Sequence, residues 1–177
     1  MTTTDITRLI RQSLAGGILL ITALLLMSVT QARAETLKGR NVYHITKAEA
    51  IEVGDVPGHV VGIAECRGLT FFEDGEIAIV SGLFTFDYTN GSGTHEAYFL
   101  YTFEDGSTLV SRPKGTTRAI QGGKYSVFEG MQTYIRGSGR FEGIKGSGSY
   151  TGKRVAPVAA GADCYRDFTG TYTLPPR

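Results

Sequence analysis

The sequence predicts an all-β fold, an eight-stranded antiparallel up-and-down barrel behind a signal peptide, on three observations. Turn residues that tolerate positive φ recur as Asp74-Gly75, Asn90-Gly91, Asp105-Gly106 and Gly122-Gly123. The segments between them are rich in β-branched and aromatic residues, as strands are. Short turns make successive strands spatial neighbours, and closing such a meander removes the two long unpaired edges that an open sheet would expose. A two-sheet sandwich is the competing arrangement, because strand spacing alone does not separate the two.

The first element is the leader. Arg8 and Arg11 precede an apolar stretch from Leu14 to Val29, and Ala32-Arg33-Ala34 follows. A basic start, an apolar middle and a small-x-small site are the features of a secretory signal peptide, with cleavage after Ala34. A permanent transmembrane anchor is the alternative, but Gly16, Gly17, Thr22 and Ser28 dilute the run below the roughly 18 apolar residues a span requires. Domain 1–34 is therefore read as the signal peptide and 35–177 as a single β-barrel domain, secreted or periplasmic, with no membrane attachment after cleavage.

Within that domain the turns delimit strands near 42–53, 59–72, 76–89, 94–104, 107–118 and 124–136, with weaker patterns at 146–153 and 167–174. The stretch Lys47-Ala48-Glu49-Ala50-Ile51-Glu52 is mildly helical but too short to stand alone. Eight strands enclose an interior that side chains fill or that holds one small ligand.

Composition excludes several functions. The whole chain has 18 basic and 17 acidic side chains, and loss of Arg8, Arg11, Arg33 and Asp5 leaves 15 and 16, with no basic cluster of the kind nucleic-acid binding requires. There is no Gly-x-Ser-x-Gly elbow, no phosphate-binding Gly-x-x-x-x-Gly-Lys-Ser/Thr loop and no Cys-x-x-Cys pair. His44, His59 and His95 are widely spaced, as surface or hydrogen-bonded histidines are, and neither a metal nor another cofactor is expected. Cys66 and Cys164 are read as a disulfide, which in an oxidising compartment would contribute roughly 4 to 5 kcal/mol by the chain-entropy relation; two buried free thiols are the alternative.

The segment Gly137-Ser138-Gly139-Arg140-Phe141-Glu142-Gly143-Ile144-Lys145-Gly146-Ser147-Gly148 resembles the late-strand signature of the allene oxide cyclase and dirigent group of calycin-like barrels. The resemblance extends over residues 41 to 153. It implies a barrel that is commonly dimeric or trimeric and that either cyclises a reactive, largely apolar substrate or steers coupling by shape. It transfers no catalytic residue to this chain.

Polar residues on apolar strand faces are the remaining candidates. One face of the second strand reads Val61, Ile63, Glu65, Arg67, Leu69, and one face of the sixth reads Tyr125, Val127, Glu129, Met131, Thr133, Ile135. If those faces point inward, Glu65 and Glu129 are candidate proton-transfer groups, and Arg67 with Phe99, Tyr101 and Tyr134 lines a ligand site. A change of facing by one residue puts the carboxylates in solvent. Two functions follow: an exported barrel that binds a small apolar molecule or a partner surface, or an isomerase or cyclase that uses shape and a buried carboxylate. Self-association into a homo-oligomer is expected of either.

Overall fold

The structure, a computed structural model, describes residues 34–176. The leader reading, apart from Ala34, falls outside the described residues. Eight strands form one closed antiparallel barrel in chain order: β1 (Glu35–Glu52), β2 (His59–Phe72), β3 (Ile77–Thr89), β4 (Ser92–Phe103), β5 (Thr108–Ile120), β6 (Tyr125–Ser138), β7 (Lys145–Arg154) and β8 (Asp163–Thr173). Each turn residue does what its chemistry allows. Asn90 and Gly91 both take positive φ, 52° and 78°, which matches a tight hairpin to the strand twist. Asp74 and Asp105 accept backbone N–H bonds from Glu76 and Ser107 at 3.0 and 2.9 Å, as turn aspartates do.

The barrel closes through the long first strand. β1 pairs with β8 from Glu35↔Tyr172 to His44↔Asp163, and with β2 from Gly39↔Phe72 to Glu52↔Val60. Both strands at this seam begin earlier than the pattern of the sequence indicates, at Glu35 instead of 42 and at Asp163 instead of 167. Charged side chains obscure them; on the outer surface Arg40 donates two hydrogen bonds to Asp167, at 2.6 and 2.7 Å.

The lumen has two halves. Towards the β2–β3, β4–β5 and β6–β7 turns it is filled by rings: Phe72 stacks on Phe103 at 5.3 Å and meets Phe168 at 5.9 Å, while Phe103 meets Phe141 at 4.8 Å. Phe141 comes from the one-turn 3-10 helix Gly139–Phe141 that covers this end. A belt of hydrogen bonds then crosses the lumen. Thr70 donates to Asn41 (3.0 Å), Asn41 and Arg166 both donate to the Tyr101 hydroxyl (3.3 Å each), Arg166 also donates to Gln132, and Gln132 donates to Tyr134 (3.4 Å). Beyond the belt lies a second, less completely filled half.

Facing corrects the candidate carboxylates. The buried side of β2 is Ala64, Cys66, Thr70 and Phe72, and that of β6 includes Ser126, Phe128, Gln132 and Tyr134, so Glu65, Arg67 and Glu129 all point out and are exposed. The physical reason is volume. Large rings from β3, β4, β6 and β7 crowd the lumen beside the middle of β2, which turns Ala64 and Cys66 inward there while its bulky Val61, Ile63 and Leu69 lie outside; only at the filled end does β2 add a ring, Phe72.

The disulfide expectation is corrected as well. Cys66 and Cys164 are buried free thiols. Cys66 pairs with Ile45 on one side of β1 and Cys164 with Tyr43 on the other, so a whole strand separates them. Two strand spacings amount to about 9 to 10 Å, beyond the ~7 Å Cα separation a bridge tolerates.

Candidate functional site in the upper lumen

Above the belt the inward side chains enclose a cavity of about 30 Å³, measured as the space open to the centre of a water molecule. Its walls are largely aromatic, with Tyr43, Phe99, Phe128 and Tyr150 buried around it. Phe84 and His95 are the lining residues that remain partly exposed. Pro113, inward on β5, also lines it; its ring nitrogen has no proton to donate, and the β4–β5 ladder skips from Glu96↔Lys114 to Phe99↔Ser111 at that point.

Glycines set the depth of the rings. A Cβ on Gly115 or Gly130 would stand 2.5 or 2.6 Å from the Tyr150 hydroxyl. The bare backbone at this pair lets Tyr150 lie across β5 and β6 with its oxygen against His95.

A relay of hydrogen bonds runs through the site. The Tyr88 hydroxyl bonds the Thr117 hydroxyl at 2.8 Å, Thr117 bonds His95 Nδ1 at 3.0 Å, and His95 Nε2 bonds the Tyr150 hydroxyl at 2.8 Å. Burial, followed by the positive charges of Arg166 and Arg154, pushes His95 down to about 4. Burial pushes Tyr150 up to about 12, against the opposing pull of Arg166. Both groups are therefore uncharged at neutral pH.

The charge in this half comes from arginine. Arg166 is 1% exposed and Arg154 is 3% exposed. The guanidinium carbon of Arg166 lies 4.2 Å from the centre of the Tyr150 ring and 5.1 Å from that of Phe99. Arg154 donates to the Ala156 carbonyl at 3.0 Å and to Ser126 Oγ at 3.1 Å. No acidic residue is buried among the described residues.

Of the residues the sequence singles out, Phe99 lines the cavity, Tyr101 holds Arg166 from within the belt, and Tyr134 ends the belt on the filled side. Arg67, Glu65 and Glu129 lie outside the lumen. Cys164 lines the cavity, and burial raises both thiols to about 12. The histidines stay apart: His44 bonds Asp163, His59 bridges Asp55 and Asp87, and only His95 enters the lumen. Among the described residues no three His, Cys, Asp or Glu side chains gather as metal ligands.

Arg154, Arg166 and the lumenal role of His95 escape the reading of the sequence. The signal for Arg166 is alternation, since Cys164, Arg166, Phe168, Gly170 and Tyr172 share one face once the strand is started at Asp163.

No protein-family model matches the chain, and no curated protein matches it. Among solved structures it is similar to a conserved protein of unknown function from Rhodopseudomonas palustris, at 15% identity and a TM-score of 0.53, over 79% of this chain and 98% of that one. At that identity the likeness concerns the fold alone. Two pterocarpan synthase dirigent proteins also match, each at 12% identity, with TM-scores of 0.46 and 0.44, over 84% and 82% of this chain and 93% and 99% of theirs.

Proposed function

We propose that this is an exported barrel that binds a small, largely apolar molecule in the upper half of its lumen. The observation that supports this reading is the aromatic cavity with a few convergent polar groups. Room for about two waters is too little for a whole organic ligand, so binding would displace a lining side chain, for which the partly exposed Phe84 is the candidate. The test is mass spectrometry of small molecules carried through purification by the native protein and by Ala97→Phe, whose new ring fills the cavity. Retention by the wild type and loss in a folded Ala97→Phe variant is the expected outcome; equal retention by both would remove the lumen as the site.

The relay through His95 favours a second reading, an isomerase or cyclase in which His95 and Tyr150 move the proton. Turnover of a bound molecule that His95→Gln abolishes while binding persists would select it. Self-association belongs to either reading. Exposed Val42, Leu69 and Ile79 are successive cross-strand neighbours on the outer surface, as are Leu83 and Tyr98, and light scattering on the purified protein reads the assembly directly.

A further inference from the structure

We infer that the ligand of the upper lumen carries a carboxylate, seated between Arg166 and Arg154. The inference rests on the ligand-binding reading above and adds the chemistry of the group that is recognised. A guanidinium stays protonated even when buried, so this small interior holds two positive charges. Their hydrogen-bond acceptors are all neutral: the Tyr101 hydroxyl and Gln132 for Arg166, the Ala156 carbonyl and Ser126 for Arg154. Buried charges in folded proteins are paired, and a lone one is strongly destabilising. Among the described residues neither arginine has a carboxylate within 4.0 Å.

Independent of the charge count, Arg166 Nε is a buried donor with no partner. Arg166 lines the cavity, as does Arg154. The guanidinium of Arg166 lies over the rings of Tyr150 and Phe99, and with its two terminal nitrogens bonded to Tyr101 and Gln132, Nε is the donor that remains. Both arginines line this one small cavity, so a head group seated in it would meet both. The apolar lining then receives the chain or ring that follows the head.

The experiment compares acids with their neutral amides. Phenylacetate and phenylacetamide, and formate and formamide, are titrated into the protein at pH 7 while the His95 ring signals are followed by NMR. His95 bonds Tyr150 and Thr117 and lies within the field of both arginines, so it reports an anion directly. The acids should bind about tenfold more tightly than the amides, the difference expected of a hydrogen bond to a charged group. They should also raise the midpoint of the His95 titration, which the amides leave unchanged. Arg166→Met and Arg154→Met should each bring the acid close to its amide. Equal binding of acid and amide overturns the carboxylate and leaves a neutral-ligand site standing. Failure of all four compounds to reach the lumen, with no molecule retained through purification, overturns the ligand-binding reading as well. Should Arg166→Met fail to fold, the wild-type His95 midpoint in formate against formamide decides.

Discussion

Replacing His95 with Gln isolates a large proton-linked contribution to the stability of this barrel. In the unfolded chain a histidine titrates near 6.5, whereas in the folded lumen burial and the two arginines hold His95 down to about 4. Between those values the unfolded state binds a proton that the folded state refuses, so stability falls as pH drops from about 6.5 to about 4 and levels off below. A gap of this width corresponds to about 3 kcal/mol at its full extent. His59 acts with the opposite sign. Asp87 and then Asp55 raise it, so its contribution is present below its unfolded value and is lost as pH rises through the folded one. The carboxylates of Asp55 and Asp167, both held low, contribute stability that disappears only at the acid end. Comparing wild type with His95→Gln cancels these groups, because Gln removes the titration and keeps polar atoms facing Tyr150 and Thr117. Urea unfolding at pH 7, 6, 5 and 4.5 is the assay. The wild type should lose about 2 kcal/mol more than the variant between pH 7 and 5. Parallel loss in the two proteins, or an NMR midpoint for His95 near its unfolded value, would refute the reasoning.

Further perturbations probe the walls of the site. Gly130→Ala places a methyl 2.1 Å from the Lys114 carbonyl oxygen and 2.6 Å from the Tyr150 hydroxyl; urea unfolding should show a loss of about 1–3 kcal/mol, and wild-type stability would contradict the packing. Phe99→Ala empties a wall of the cavity and should cost about 3–5 kcal/mol by the same measurement, a loss that stays below 1 kcal/mol being the contrary result. Cys66 and Cys164, buried and held to about 12, should resist alkylation in the native protein and react only on unfolding; a mass two hydrogens lower in unreduced protein would restore the disulfide. Arg40→Ala breaks an exposed ion pair with Asp167 and should leave the melting curve almost unchanged, a clear loss arguing for a greater role of the seam.

Turns and closure are legible in the sequence because their chemistry is local. Asn90-Gly91 and Asp105-Gly106 declare a reversal whatever surrounds them, and eight reversing strands leave few ways to hide an edge. Facing is not local. In β2 the bulky Val61, Ile63 and Leu69 lie outside, while rings from other strands crowd the middle of its inward face, where Ala64 and Cys66 sit. A hydrophobicity pattern read along one strand therefore points the wrong way, and with it Glu65 and Arg67. Arg154 and Arg166 are hidden by a boundary effect: an eighth strand started at 167 and a seventh ended at 153 each stop one residue short of an arginine that continues the inward face. His95 had a signal, since Ala97, Phe99, Tyr101 and Phe103 follow it at alternate positions, but nothing in one strand announces that Tyr150 and Thr117 stand opposite.

The crossing formed by Thr70, Asn41, Tyr101, Arg166 and Gln132, with packed rings behind it, makes the protein a cup and not a pipe. A ligand held as proposed in the upper half would meet a floor there, and it would leave by the end through which it came. Changes on the open side of the floor would then alter arrival and departure together, whereas changes beneath it would alter only how firmly the cup holds its shape.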